Sequence, residues 1–407
     1  MSSAPGRFPG RRGASRLIGF ATIPLISALS PLIVIPALTR SFGAETWASV
    51  ALASSIGSAA AVVIELGWGL NGPQRVARAG QRARARIYAL ALITKLIVAI
   101  PLMLPVVLIT LRLAPKEPGA AALVAIAISL STLSPAWFFI GTGQPRRILL
   151  LDALPRLASN VLAFAAIEYA NAPLISYPVL LLAGTIVPPI LGWWLVGARI
   201  STLRAFGMRR IVRVIRAQSV ALQGRLASAV YITLPVVIVG AVAPSALVVF
   251  AAAERLQRLT LALLAAVPNA LQAWIGKPGS VRERRRRINH AVLGNVILGI
   301  LAGATFAVLG GVGSEILFAG QITLPLHITA LCGGVIAVTC VSRATGGLGL
   351  VASGKLSAVR NSAFIGACVG PLLVWVLSVH LGAPGALLAE LVTELVVLGV
   401  QVVALYG

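Results

Sequence analysis

Acidic residues are scarce in this 407-residue chain: Asp and Glu number 10 against 34 Lys and Arg, a net charge of +24. Cysteine and histidine, at 3 each, are scarcer still. No G-x-x-x-x-G-K-[ST] segment occurs, so the chain encodes no ATP-driven pump. His290, His327 and His380 lie far apart and form no H-E-x-x-H, and Cys332, Cys340 and Cys368 lack metal-ligand spacing. The cysteines therefore read as packing residues, and neither a metal nor a cofactor is expected. No alternating run resembles a barrel strand. No gap between apolar stretches reaches the ~50 residues of a soluble domain, which excludes an appended catalytic domain. Gly141-Thr-Gly143 and Gly346-Gly347-Leu-Gly349 follow no strand and read as loop or helix-packing glycines.

Apolar residues make up 58% of the chain, and the mean hydropathy is +0.96. They fall in stretches of about 20, the length that spans a bilayer as helix. Twelve spans are predicted: 17–38, 47–70, 87–111, 120–142, 148–170, 174–197, 218–243, 245–275, 291–312, 320–341, 359–381 and 384–405. The fold class expected is therefore all-α, a polytopic membrane protein. Every second gap is rich in arginine, from Arg7, Arg11, Arg12 and Arg16 before the first span to Arg343, Lys355 and Arg360 before the eleventh. These gaps hold 26 of the 34 basic residues, whereas the alternate gaps hold only Arg40, Arg112 and Lys116. Cytoplasmic loops keep the excess of Lys and Arg, so both termini are expected in the cytoplasm. The first span reads as a retained helix, because its apolar run is too long for a signal peptide. The positive loops are expected to meet anionic lipid headgroups, not nucleic acid.

Twelve spans divide evenly around the basic segment 198–217. This predicts an N-terminal tail (1–16), an N-lobe (17–197), a cytoplasmic linker (198–217) and a C-lobe (218–407). Pro31-Leu-Ile-Val-Ile-Pro-Ala-Leu38 and Pro235-Val-Val-Ile-Val-Gly-Ala-Val242 lie 204 residues apart and form a weak internal repeat. Two parallel six-helix lobes around a central path fit that pattern.

Five cations fall inside spans: Lys95, Arg156, Arg225, Arg255 and Arg258. A charge there is costly unless it faces protein or water. Asp152 and Arg156 share a helix face four residues apart, and Glu254 and Arg258 repeat the arrangement. Each pair reads either as a neutralised structural tie or as part of an anion-binding cavity lined by Lys95, Arg156, Arg225 and Arg258. Glu390 and Glu394 have no obvious partner nearby in sequence and are candidates for coupling transport to protons or cations.

Several motifs resemble the polysaccharide transporter family of flippases, within the multidrug/oligosaccharidyl-lipid/polysaccharide exporter superfamily. They are Pro31 to Gly43 followed by Trp47, Glu65-Leu-Gly67-Trp-Gly69, Pro135-Ala-Trp137-Phe138-Phe139-Ile-Gly141, Asp152-Ala-Leu-Pro155-Arg156, Tyr177-Pro178, and Leu381-Gly-Ala383-Pro-Gly385-Ala with Glu390 and Glu394. The resemblance implies two six-helix lobes around a central cavity. It also implies that undecaprenyl-pyrophosphate-linked oligosaccharide is moved across the cytoplasmic membrane. Arg40 matches the family arginine at the end of the first span. On this reading Arg40, Lys95, Arg156, Arg225 and Arg258 contact the anion, and Asp152 and Glu254 orient the arginines. The expected partners are the lipid-linked oligosaccharide, the bilayer, a polysaccharide polymerase and glycosyltransferases. A multidrug exporter on the same fold is the rival transporter reading. A membrane polymerase or ligase needs a long outer loop, which the chain lacks.

Overall fold

A computed structural model describes residues 29–198, 206–275 and 280–407, apart from some side chains within 219–231 and 269–273. The described residues are helical and include no strand. The helices are α1 (Ile35–Phe42), α2 (Ala44–Arg78), α3 (Gln81–Leu113), α4 (Pro118–Gly141), α5 (Pro145–Ala170) and α6 (Ser176–Val196) in the N-lobe. The C-lobe holds α7 (Met208–Val242), α8 (247–275), α9 (Val281–Leu317) and α10 (Leu326–Leu350). Its last helical stretch, Leu356–Tyr406, breaks at Gly382 (φ 62°, ψ −135°), which divides α11 (356–381) from α12 (383–406). Eight of these stretches are by themselves long and apolar enough to cross a membrane. With α7, α8 and the division at Gly382, the described helices match eleven of the predicted spans, while most of the first, 17–28 of 17–38, lies outside the described residues together with the predicted tail 1–16. The chain is a multi-pass membrane protein.

Sequence explains where the helices stop and how they pack. α3 runs for 33 residues, about 50 Å at 1.5 Å per residue. That exceeds the ~30 Å hydrocarbon core, so its arginine-rich first turns extend beyond it. Its Ile100 (72% exposed), Leu104 and Leu108 form an outward apolar face suited to lipid. Ser280 caps α9 by accepting from the Glu283 amide at 3.2 Å, and Glu283 accepts from the Ser280 amide at 3.0 Å. Within α9, Gly299 and Gly303 let α10 approach closely: a Cβ on Gly303 would lie 2.4 Å from the Gly333 carbonyl oxygen. Small residues four apart commonly serve this purpose between membrane helices.

Two helix ends differ from the predicted spans. α7 begins at Met208, inside the segment read as a linker. Its Ile211 is buried against Ala89 and Leu90 of α3, which gives that first turn an apolar anchor. α10 continues to Leu350 through a π-helical stretch, Arg343–Leu350. Arg343, counted from sequence among the loop arginines, therefore belongs to a helix. The glycines at 346, 347 and 349 lower the side-chain bulk there and kept hydropathy from marking the helix.

The lobes meet where α2 packs on α7 and α8. Leu52 of α2 is fully buried, and a Cβ on Gly240 of α7 would lie 2.9 Å from its Cδ1. At the end where α1 finishes, Thr39 Oγ1 donates to the Phe318 carbonyl at 3.0 Å. The Trp47 and Phe318 rings lie 5.3 Å apart at the same place. At the arginine-rich end, Asn71 of α2 and Gln218 of α7 exchange amide hydrogen bonds. The lobes are thus tied at both ends.

Candidate functional site

The most specific sequence motifs meet inside the N-lobe. Leu66 (φ 51°) and Gly67 (φ 73°) break α2, which turns Trp68 inward, where it is 1% exposed. Trp68 Nε1 donates to Thr94 Oγ1 at 3.1 Å. Its ring lies 5.6 Å from that of Trp137, which stacks on Tyr88 at 6.2 Å. A Cβ on Gly72 would clash with Trp137 at 2.6 Å, and one on Gly141 with the Pro73 carbonyl at 2.6 Å. Gly143 (φ 68°) makes the turn into α5. These residues build a packing cluster. Lys95 belongs to it: 2% exposed, it donates to the Thr132 carbonyl at 2.6 Å and lies 5.6 Å over the Trp137 ring.

The other two N-lobe candidates, Arg40 and Arg156, are paired with carboxylates. Arg40 binds Glu168 of α5, and its side chain is 57% exposed. Asp152 lies in a π-helical stretch of α5, Leu149–Ala153. It contacts Arg156 at 3.0 Å, and Arg156 also donates to the Ser131 carbonyl at 3.1 Å. One turn further, Asn160 donates to the Arg156 carbonyl and to Ser30 Oγ. Neither Arg40, Lys95 nor Arg156 lines the cavities described next. The side chain of Arg225 lies outside the described residues.

An inter-lobe cavity of about 320 Å³ lies between α1, α2, α4, α5 and α6 on one side and α7 and α8 on the other. Its charged residues are Glu254, Arg255 and Arg258 of α8, joined by Trp47, Asn160 and Tyr177 from the N-lobe. Arg258 binds Glu254 and donates to the Ile232 carbonyl of α7. That carbonyl belongs to the turn before Pro235, whose ring removes an N–H and loosens the preceding turn. Arg255 Nε, Trp47 Nε1 and Asn160 Oδ1 are buried without a hydrogen-bond partner. Buried polar atoms are seldom left so, and all three belong to residues that line this cavity.

A second cavity of about 480 Å³ lies within the C-lobe. Gln257 of α8 donates to Glu390 of α12 at 3.1 Å, and Glu394 follows one turn later. Arg343 reaches this cavity from α10 and donates to the Leu261 carbonyl at 2.6 Å. Ile232 and Arg258 line both cavities. Thus Arg258 and Glu254 sit together on the inter-lobe cavity, while Glu390 and Glu394 share the C-lobe cavity with Arg258. Sequence reasoning missed two cavity cations as site residues. Arg343 was hidden by the glycine-rich helix end. Arg255, already marked as an intramembrane charge, was passed over for its neighbour with the i,i+4 partner.

No protein-family model matches the chain. A Shigella dysenteriae protein described as "Putative O-antigen transporter" is 22% identical over 377 residues, 91% of this chain and 94% of that protein. Among solved structures, the lipid II flippase MurJ in an inward closed conformation superposes with a TM-score of 0.69 at 10% identity, over 97% of this chain and 88% of the flippase. An inward-facing multidrug resistance MATE family transporter of the MOP superfamily gives 0.61 at 15% identity, over 95% and 98% of the two chains. The fold is therefore that of these membrane transporters: two six-helix lobes around a central cavity. The motif resemblance pointed to the same superfamily.

Proposed function

We propose that the chain is a flippase for an anionic lipid-linked saccharide, of the undecaprenyl-pyrophosphate-linked oligosaccharide class, in surface polysaccharide biosynthesis. The observation that carries this is the pair Arg255 and Arg258 lining an inter-lobe cavity, with Nε–H of Arg255 left without a hydrogen-bond partner. Guanidinium groups match phosphate oxygens in geometry and charge. Trp47 and Tyr177 add ring faces beside them. The names of the Shigella relative and of the lipid II flippase support the same class.

In this reading the N-lobe (17–197) and the C-lobe (218–407) rock about the bound head group, with both termini cytoplasmic and the lipid tail left in the bilayer. Glu254 orients Arg258. Asp152 orients Arg156, one turn from the cavity residue Asn160, and Arg156 meets the anion on the way in. Arg40 meets it at the outer rim. Lys95 is assigned to the packing cluster, because its ammonium is already engaged there. Arg225 remains a proposed contact on α7. Glu390 or Glu394 couples the cycle to a proton or cation. Glycosyltransferases supply the substrate, and a polymerase consumes it.

The test is surface polysaccharide in cells that depend on this protein, at equal protein level. Arg255→Ala and Arg156→Ala are expected to lower it, Arg255→Ala the more strongly. Unchanged polymer in both removes the anion-contact role. The rival reading, a multidrug exporter, is favoured by the carboxylates of the C-lobe cavity, and it predicts drug resistance on expression with no change in surface polymer.

A further inference from the structure

The arginine-rich end brings basic segments of the two lobes together. Ile211 of α7 is buried with Phe206 against Ala89 and Leu90 of α3, and Trp193 of α6 packs on the same cluster. Arg82 and Arg86 precede Leu90 by two turns and one turn of α3, which places them on its helix face. Arg210 stands over the Phe206 ring at 5.1 Å, beside Ile211 in the chain. Arg82, Arg86, Arg209 and Arg210 are all exposed. The chain has no Asp or Glu between Glu65 and Glu117, nor between Glu168 and Glu254. Both segments therefore carry positive charge with no acid of their own to offset it.

The surroundings of this corner are apolar. Trp194, which follows Trp193, is 77% exposed, and Met208 and Val212, one turn apart on α7, are exposed as well. Exposed tryptophan is typical of the membrane–water boundary. A soluble phosphate complements the arginines alone. An anionic phospholipid complements both features, with its phosphate on the guanidinium groups and its acyl chains along Trp194, Met208 and Val212. Like charges across the seam push the lobes apart at this end, and an anion between them removes that push.

We propose that the corner of α3 and α7 is a binding site for an anionic phospholipid from the leaflet on the arginine-rich side, whose headgroup bridges Arg86 and Arg210 and holds the lobes closed at that end. Gln218 lies two turns after Ile211 on α7, so the headgroup and the Asn71–Gln218 bond restrain the same helix. The site works whatever substrate the central cavity carries. The arginine-rich start of α9 differs, because it contains its own carboxylate: Glu283 contacts Arg287 at 3.9 Å and shares the cap with Ser280. Those arginines, equally exposed at 284 and 285, offer a comparison of similar charge.

The test uses the full chain in nanodiscs of phosphatidylcholine, with or without phosphatidylglycerol. Spin labels on the two lobes at the arginine-rich end report their separation, and native mass spectrometry reports the lipid retained. Wild type is expected to show a shorter mean separation with phosphatidylglycerol, and to retain that lipid over phosphatidylcholine by roughly tenfold. Arg86→Gln/Arg210→Gln should lose the preference, and its separation should be the same in both lipids. Arg284→Gln/Arg285→Gln on α9 should respond as wild type does. Inorganic phosphate added to phosphatidylcholine nanodiscs should leave the wild-type separation unchanged. Equal wild-type separations in the two lipids, a response that survives Arg86→Gln/Arg210→Gln, or an equal loss in the α9 variant overturns the site. Closure by inorganic phosphate overturns the lipid as its occupant.

Discussion

Asn71 and Gln218 each donate an amide hydrogen bond to the other across the lobes, at 2.5 and 3.1 Å. Gln218 is fully buried, so its amide has no water to turn to. The pair closes the arginine-rich end of the molecule. Asn71→Ala leaves the Gln218 amide unsatisfied, at a cost of about 1–3 kcal/mol to the closed state. Spin labels or fluorophores placed on the two lobes at that end should report a wider mean separation in Asn71→Ala than in wild type. An unchanged distance distribution contradicts a latch.

The opposite end is held by ring packing and one hydrogen bond. Phe318 lies against Trp47, and its carbonyl accepts from Thr39. Phe318→Ala removes a fully buried ring, which costs about 3–5 kcal/mol. Part of that cost falls on the closed arrangement alone. Labelling of a cysteine introduced near Trp47 should therefore become faster in Phe318→Ala, while the Asn71 end stays as it was.

Two glycines of α9 give an internal comparison. Gly303 meets the Gly333 carbonyl, whereas nothing stands within 4 Å of a Cβ on Gly294. Gly303→Ala is expected to destabilise by about 1–3 kcal/mol through overpacking. Gly294→Ala should stabilise by about 0.5–1 kcal/mol, the helix preference of alanine over glycine. Thermal unfolding in detergent should separate the two in opposite directions from wild type. A shared direction counts against this packing of α9 on α10.

The cations divide by burial. Arg258 has 38% of its side chain exposed and Glu254 only 9%. Arg258→Ala leaves a buried carboxylate without its partner, a loss of about 3–5 kcal/mol for a fully buried pair and less here because the arginine is partly open. Arg40 is more exposed than Arg258. Arg40→Ala should cost under about 1 kcal/mol. Unfolding temperatures that rank the two the other way contradict the assignment of Arg258 to an interior pair.

Hydropathy and arginine spacing made the spans legible, because a bilayer imposes length and charge rules on each stretch separately. Local i,i+4 spacing also found Asp152–Arg156 and Glu254–Arg258 as pairs. What sequence could not show was which charges share a space. Arg258 and Glu390 are 132 positions apart and meet only because α8 and α12 line one cavity. The family-like motifs were visible, and Trp68, Gly72, Trp137 and Gly141 belong to one packing cluster. Short-range patterns report the helix they sit on, while the cavities arise from packing among helices.

The central claim, that the inter-lobe arginines carry an anionic lipid-linked saccharide, is tested most directly in proteoliposomes by the rate at which a labelled undecaprenyl-diphosphate saccharide becomes accessible in the opposite leaflet. Wild type should accelerate that step over empty liposomes, and Arg255→Ala should slow it at least tenfold with the protein still folded. Equal rates for wild type and Arg255→Ala, or no acceleration by wild type, would contradict the account.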